Sequence, residues 1–426
     1  MFLGELILSE ELFSVLQPVL VVSRWLGIFP VSYKRFGNFY KLRWSTWYAI
    51  YSYILSLSLT ITTLVNLIID LEKGEKRSIR MPNRKTRFVT CVDISIVIFI
   101  VMFGIATLPL KIKKIWKTMN FLNETDKILL LKNSDRFRKS SIYFIVLVFA
   151  LTLIIFIYDV SSWLVVLRQQ SKNPLEYLRA YFCFYCLYIV MLAKEMLYWH
   201  IIFFIKIKIS TLNARLRELK KVGSYKERMK FKADPNGLER WAYLNKGVHK
   251  VNGISPDSVC TTGISLSLDQ EITTLARYQD HIFQAVEVIN DTTEYGIHFI
   301  MLSCLLHLII TPYFLIIEIF AKGKLIFIIL QTIWVLGHLG RVLIIVEPCQ
   351  LCINEHRKTA NLICDLMTND LKEHIEKAVI LFSLQQSYCK LKFTSCGFFT
   401  INRSLLTSIA GAVTTYLVIL IQFNNT

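Results

Sequence analysis

Seven long apolar segments constrain this chain more than any other feature, because each is long enough to cross a lipid bilayer. About 20 apolar residues span a hydrocarbon core of roughly 30 Å. Hydrophobic residues make up 54% of the 426-residue sequence, which is typical of an all-α, polytopic membrane protein and excludes an ordinary soluble domain. The predicted transmembrane helices are 44–69, 88–110, 142–167, 178–205, 296–320, 325–346 and 401–423.

The N-terminal segment, residues 1–43, precedes the first span and carries its own apolar stretch at 12–31. Polar or proline residues interrupt that stretch at Gln17, Pro18, Ser23, Arg24 and Pro30. We therefore predict an interfacial or re-entrant helix, with a full span as the alternative.

Two polar stretches separate the later spans. Residues 206–295 are predicted to extend the fourth and fifth spans as helices around a partly disordered loop at about 222–269. Residues 347–400 are predicted to hold anchor helices, and the pattern at 372–388 places apolar residues on one helical face. Together these segments predict a helical bundle outside the bilayer.

The distribution of Lys and Arg predicts the orientation in the membrane. The N-terminal segment and the loops after spans two, four and six hold 34 of the 49 Lys and Arg residues, whereas the opposite loops hold 11. Because basic loops stay on the cytoplasmic side, the N-terminus and the helical bundle are predicted to be cytoplasmic and the short C-terminal tail extracellular. This polarity is the reverse of that of G-protein-coupled receptors.

Several function classes find no support in the sequence. The Lys and Arg residues that give the net charge of +18 lie in the segments that flank the spans, so the charge does not indicate a nucleic-acid partner. No phosphate-binding Gly-rich loop, serine nucleophile elbow or His-Glu-x-x-His helix occurs, so no enzyme is predicted. Cys349, Cys352 and His356 have spacing compatible with a metal site but lack a second ligand pair, so we predict packed thiols and neither metal nor cofactor.

The last span carries a narrow polar stripe. Counting back from Gln422 in steps of three and four residues places Ile419, Thr415 and Ser408 on one helical face. Small and hydroxylic residues let helices pack closely, and they also line water-filled paths. The stripe therefore fits either helix packing or a pore.

The end of this span resembles a signature of insect gustatory receptors, in which Thr415-Tyr416 and Gln422-Phe423 enclose five aliphatic residues. Further matching segments resemble the fructose-sensing branch of that family. They are Ser303 to Leu308, Tyr313-Phe314 with Glu318, Val346 to Cys349, Arg357 to Thr359, Cys396-Gly397 and Asn402-Arg403. The resemblance is dense from about residue 296 onward and sparse before it.

The resemblance implies a homotetrameric, non-selective channel for monovalent and divalent cations in the plasma membrane. Sugar, with fructose as the expected ligand, would open it, and membrane lipid would surround it. One seventh helix from each subunit would line the pore, with Gln422 and Phe423 at the outer constriction. The alternatives are a receptor for another sugar or a bitter compound, a metabotropic receptor, and a transporter.

Polar and aromatic side chains inside spans are candidates for the ligand site, because buried polar groups in membranes face a cavity or a partner. A sugar needs aromatic faces for its C–H surfaces and polar groups for its hydroxyls. Each candidate also has a structural alternative as an interhelical contact. The candidates are Asp93, Asp159, Trp163, His307, Thr311, Tyr313, Gln331, Trp334 and His338.

Overall fold

The computed structural model describes residues 5–37, 39–73, 78, 80–81, 84–129, 134–169, 173–230, 267–320, 323–367 and 372–425. For residues 84–85, 174, 222–230 and 423–425 it describes the backbone alone. Most of the predicted disordered loop at 222–269 therefore lies outside the described residues.

Long helices make up most of the described chain. Seven of them are long and apolar enough to cross a membrane, which confirms the predicted number of spans. The helices are α1 (Glu10–Trp25), α2 (Thr46–Glu72), α3 (Arg84–Ile128), α4 (Ser134–Gln169), α5 (Pro174–Lys230), α6 (Leu268–Phe320), α7 (Leu325–Met367), α8 (Glu373–Tyr388) and α9 (Arg403–Asn425). The candidate spans are α2 to α7 and α9.

Most of the spanning helices continue well beyond the apolar segment that predicts them. Helix α3 has 45 residues, about 68 Å at 1.5 Å per residue, although its predicted span is 88–110. Pro109 of α3, Pro312 of α6 and Pro348 of α7 lie inside these helices and do not end them. Each proline nevertheless removes one backbone donor from its helix.

Among the described residues, two small sheets accompany the helices, and neither was predicted from the sequence. Strands β1 (Leu6–Ser9), β2 (Val31–Phe36) and β3 (Phe39–Trp44) form an antiparallel sheet in the order β1-β3-β2. Strands β4 (Thr394–Ser395) and β5 (Phe399–Thr400) pair just before α9. The all-α description therefore holds for the spans but not for these two connections.

Helix α1 is packed into the chain through its apolar face. Phe13 and Val19 are almost fully buried, and Val19 clusters with Ile145 of α4 and Met196 of α5. At 16 residues, α1 is about 24 Å long, which is short for a full span.

Helix α5 is the most enclosed of the spans and α9 the least. In the apolar window of α5, 67% of the residues are buried, compared with none in that of α9. Leu187, Met191 and Ile202 of α5 are inaccessible to solvent or nearly so. Helix α5 thus holds the most enclosed of the candidate spans.

The chain divides into two compact units. The first comprises Met1–Lys208, His281–Asn354 and Leu391–Thr426, and the second Ile209–Asp280 and Glu355–Lys390. Within the second unit, Lys220 binds Asp365 at 2.7 Å and Val379 and Phe382 of α8 are buried. The predicted helical bundle draws on the same segments of sequence.

Candidate functional site

The first unit holds a cavity of about 390 Å³, which we call the outer cavity because most of its residues lie in the predicted outer halves of their spans. Five helices, α3 to α7, contribute side chains to its wall. Arg80, from the connection between α2 and α3, completes it. A cavity formed where several helices meet is a common location for a small-molecule site in a helical protein.

The structure brings eight of the nine candidate ligand residues to this cavity. The remaining one, Tyr313, is not among the lining residues; its neighbour Phe314 is, and the two rings pack edge to face at 5.4 Å. The eight that line the cavity are Asp93, Asp159, Trp163, His307, Thr311, Gln331, Trp334 and His338.

Trp334 lies at the centre of an aromatic cluster in the cavity wall. Its indole packs against Tyr188 at 5.6 Å and against His338 at 5.5 Å. Gln331 precedes Trp334 by three residues on α7, so both reach the same cavity from one helical face. A flat aromatic surface beside an amide can bind both the C–H face and the hydroxyls of a polyol.

Two histidines join this cluster to α3. The rings of His307 and His338 stack at 4.4 Å, and His307 Nε2 lies 2.7 Å from Asp93 Oδ1. His338 is 3% exposed, and among the described residues its Nδ1 has no hydrogen-bond partner. A buried polar atom without a partner costs free energy, so a ligand hydroxyl that reached it would be favoured.

Asp159 is bound by protein groups at one end of the cavity. Arg80 and Tyr185 both donate hydrogen bonds to its carboxylate, and the Arg80 guanidinium also lies 5.3 Å from the Trp163 ring. Burial alone would lower the pKa of Arg80, but attraction to Asp159 and to nearby tyrosines raises it well above its usual value. The Arg80 guanidinium therefore stays protonated and is bound to Asp159 within the protein.

Arg80, Glu318 and Tyr188 are among the lining residues that sequence reasoning did not nominate. Arg80 lies in a loop, where the sequence shows its charge but not its insertion between helices. Glu318 lies in a segment that resembles the gustatory receptors, but the sequence does not indicate that its side chain lines the cavity. Tyr188 is one of several tyrosines of α5, and only packing shows which of them faces the cavity.

A buried ion pair lies next to the cavity. Arg341 of α7 donates to Glu195 of α5 through Nη2 at 2.6 Å and through Nε at 3.0 Å. Arg341 Nη1 also donates to the Tyr188 hydroxyl at 3.2 Å. Tyr188 thus connects the cavity wall to a charge pair that ties α5 to α7.

The candidate pore residues lie on the surface of the single chain. Ser408, Thr415, Ile419 and Gln422 are all exposed, and the Phe423 side chain lies outside the described set. The hydroxyl of Thr415 donates to the Gly411 carbonyl at 2.9 Å, within α9 itself. An apolar helix with no buried residue in its span requires lipid or another protein surface along its length.

A bidentate ion pair joins the start of α9 to α7. Arg403 Nε and Nη2 donate to the two carboxylate oxygens of Glu347 at 2.9 and 2.8 Å. The Arg403 backbone N–H also donates to Gln350 Oε1 at 3.0 Å. Glu347 and Gln350 follow Gln331 and Trp334 on the same helix, so α7 contacts both the outer cavity and α9.

The cysteines considered for a metal site have other contacts. Cys349 Sγ lies 3.3 Å from the Tyr198 hydroxyl and donates to the Ile345 carbonyl at 3.4 Å. The His356 ring nitrogens lie 3.1 and 3.3 Å from Gln386 Nε2. In the part of the chain that the structure describes, no three His, Cys, Asp or Glu side chains are grouped to hold a metal ion.

Sequence comparison identifies related proteins over nearly the whole chain. The family described as 7tm Chemosensory receptor matches residues 16–425. "Gustatory receptor for sugar taste 43a" from Drosophila melanogaster is 27% identical over 395 residues, covering 89% of this chain and 90% of that protein. "Putative gustatory receptor 28b" from the same fly is 34% identical over 88 residues, covering 21% of this chain and 19% of that protein.

Structural comparison finds the same fold in an insect receptor. The structure of the insect olfactory receptor OR5 from Machilis hrabei matches with a TM-score of 0.61 at 14% sequence identity, covering 96% of this chain and 97% of that one. Its complex with eugenol matches with a TM-score of 0.58. At this level of identity the similarity concerns the fold alone.

Proposed function

The chain belongs to the 7tm chemosensory receptor family, and from this premise we propose that it is a gustatory receptor of the plasma membrane, a cation channel opened by sugar. Fructose is the proposed ligand. The observation that carries the proposal is the outer cavity, where Trp334, Gln331 and His338 from one helix meet polar groups from four others. The similarity to a receptor named for sugar taste supports the ligand class.

The chemistry of the outer cavity suits a neutral polyol. The ion pair of Arg80 with Asp159 satisfies both of these charges within the protein, so neither requires an ionic ligand. The other end offers an indole face, an amide and the unpartnered His338 Nδ1. These groups can replace the water that sugar hydroxyls lose on binding.

The pore is proposed to form from four copies of α9 around a common axis. A single helix cannot enclose a pore, and α9 has no buried residue in its apolar window. The stripe of Ser408, Thr415, Ile419 and Gln422 is exposed, which leaves it available to face such an axis. Because α9 carries no acidic ring, selectivity among cations is expected to be poor.

Gating is proposed to pass from the outer cavity through α7 to α9. Sugar would draw α6 and α7 together around Trp334, and the ion pair of Glu347 with Arg403 would transmit movement of α7 to the pore helix. A ring of Phe423 and Gln422 would form the closed constriction. The ligand shifts this equilibrium only by the difference in its affinity for the closed and open states.

The proposal is tested by expressing this chain alone and recording from excised patches in nucleotide-free solution. A panel of monosaccharides and bitter compounds is applied to the extracellular face, and fructose is expected to evoke a non-selective cation current. A current evoked by a bitter compound and by no sugar would show that the receptor's ligand is a bitter compound instead of a sugar. Loss of the current on excision would favour a metabotropic receptor, and saturable uptake without channel conductance would favour a transporter.

The proposed orientation has its own test. Residues 1–43 and the second unit would lie in the cytoplasm, and the end of α9 would lie outside. A C-terminal epitope tag is expected to bind antibody on intact cells, whereas an N-terminal tag is expected to bind only after permeabilisation. Labelling of the N-terminal tag on intact cells would overturn this orientation.

A further inference from the structure

A second cavity, of about 180 Å³, shares no lining residue with the outer cavity, and we call it the inner cavity. It is partly open to the exterior and most of its wall is aliphatic or aromatic. Helices α1, α3, α5 and α6 form the wall together with Leu8 of β1, Phe29 and Leu42 of β3. Nothing in the proposed sugar response uses this space.

The inner cavity is elongated along α3. Its lining positions on that helix run from Ile100 to Met119, a distance of about 28 Å along the axis. Ile100 and Thr107 belong to the predicted second span, whereas Ile115 and Met119 lie beyond its cytoplasmic end. The cavity therefore crosses the expected boundary between hydrocarbon and headgroups, with a length that suits an extended acyl chain.

Lys194 is the deepest charged group of the inner cavity, and its own protein satisfies it. Its ammonium donates to the carbonyls of Ile100 at 3.1 Å and Val101 at 2.9 Å. It passes close to Gly104, where an added Cβ would lie 2.2 Å from Lys194 Nζ. The Lys194 ammonium thus has hydrogen-bond partners on α3 and does not require an anionic ligand.

Two other polar groups in the wall lack such partners. Trp116 is 6% exposed, and among the described residues its Nε1 donor has no hydrogen-bond partner. Lys111 lies one turn before Ile115 on α3 and is half-buried. Its ammonium group lies 5.5 Å from the centre of the Phe103 ring. An orphan donor and a half-buried ammonium next to apolar walls match the acceptor oxygens and the charge of an anionic lipid.

The surrounding charges also favour an anion. Lys113 and Lys117 follow Lys111 on α3 and are exposed, whereas Lys114 is paired with Asp291 at 2.6 Å. Glu294 and Asp291 are the nearby carboxylates that act on Lys111. Lysines remain in excess at this level, and clustered lysines at the cytoplasmic end of a span attract anionic phospholipids.

We propose that the inner cavity binds an anionic phospholipid of the cytoplasmic leaflet. One acyl chain lies along α3 toward Gly104, the phosphate contacts Lys111, and an ester carbonyl accepts a hydrogen bond from Trp116 Nε1. An acyl chain that moves from the bilayer into this cavity exchanges one apolar environment for another, so the contacts of the headgroup provide the selectivity.

The test measures lipid binding to the full-length purified protein by native mass spectrometry, with dioleoyl phosphatidylserine, dioleoyl phosphatidylcholine and oleate as separate probes. Lys111→Gln removes the charge, and Trp116→Phe removes only the donor. Gly296→Phe fills the cavity, since no atom lies within 4 Å of a Cβ built at Gly296. Leu302→Phe, at an exposed position of the same helix, is the matched control.

Phosphatidylserine is expected to bind the wild-type protein more tightly than phosphatidylcholine. Lys111→Gln is expected to weaken phosphatidylserine binding by about tenfold, as for loss of a charged hydrogen bond. Gly296→Phe is expected to weaken it because the added ring occupies the space of the acyl chain, while Leu302→Phe changes nothing. Equal binding of the two phospholipids, or unchanged binding in Lys111→Gln, would overturn the proposal. Binding of oleate without phosphatidylserine would overturn it as well. Because the readout is binding, its outcome is independent of the sugar response.

Discussion

The ring of Tyr188 packs edge-on against the indole of Trp334, with 5.6 Å between centroids and 75° between planes. The same tyrosine accepts a hydrogen bond from Arg341, which binds Glu195. One side chain of α5 therefore contacts both the outer cavity and the buried charge pair. Trp334 and the ion pair that joins α5 to α7 therefore share Tyr188 as a contact.

Trp334→Ala is expected to raise the sugar concentration for half-maximal current by about tenfold or more, because removal of an aromatic surface costs roughly 1–2 kcal/mol of binding. Surface expression should stay unchanged, since the side chain lines a cavity instead of filling a core. Whole-cell dose-response curves and surface biotinylation measure the two quantities.

Leu336→Ala is the matched control for the indole, because Leu336 lies two residues along the same helix and is 62% exposed. Gln331→Ala is expected to shift the dose-response in the same direction as Trp334→Ala, whereas the control should not. Wild-type sensitivity in both cavity variants would remove α7 from the ligand site.

The Arg341 and Glu195 pair makes a separate prediction about stability. Both side chains are almost completely buried, at 4% and 0% exposure. Removal of either charge leaves the other buried without a partner, so Glu195→Gln and Arg341→Met are each expected to destabilise the protein by about 3–5 kcal/mol. The melting temperature in detergent, followed by fluorescence-detected size exclusion, measures the loss.

The double variant, Glu195→Leu with Arg341→Met, is expected to recover much of that stability, because two apolar side chains replace the pair without leaving a lone charge. Its melting temperature should exceed that of both single-charge variants. If the double variant melts at a lower temperature than both single variants, the ion pair stabilises the protein beyond the mutual neutralisation of its two buried charges.

Much of the outer cavity was predictable because helical periodicity is a local property. Gln331, Trp334 and His338 recur at the spacing of one helical face, and Asp159 and Trp163 do the same on α4. Once the spans are known, their polar residues are expected to face a shared cavity or a neighbouring helix, because exposing them to lipid costs free energy.

Other features depended on contacts between distant parts of the sequence. Arg80 enters the cavity from a loop, and nothing local to it reveals the carboxylate of Asp159 that it meets. On α6, Phe314 lines the cavity while Tyr313 does not, because neighbouring residues point about 100° apart around a helix. The strand Leu6–Ser9 is only four residues long, and its pairing with β3 crosses the whole of α1.

Phe423→Ala is expected to increase the current recorded without sugar. If four Phe423 side chains close the outer end of the pore, their removal admits water to an apolar constriction and lowers the barrier to ions. Leu417→Ala, on another face of α9, is the control and should leave the basal current unchanged. If the current recorded without sugar is equal in the wild type and in Phe423→Ala, Phe423 does not form the gate.

The ion pair between Arg403 and Glu347 is predicted to couple sugar binding to opening. An exposed pair adds only about 0.2–1 kcal/mol of stability, so its loss should not unfold the protein. It nevertheless joins α7, which carries Trp334, to α9. Arg403→Glu is therefore expected to reduce the maximal sugar-evoked current several-fold, with little change in the half-maximal concentration.

A charge exchange distinguishes coupling from simple damage to α9. Arg403→Glu together with Glu347→Arg restores opposite charges across the same gap, and is expected to recover most of the maximal current at equal surface expression. Lys358→Glu reverses a charge of α7 whose partner lies three residues away on the same helix, and is expected to leave gating unchanged. If the exchanged pair conducts no better than Arg403→Glu alone, movement reaches α9 through apolar packing instead of this ion pair.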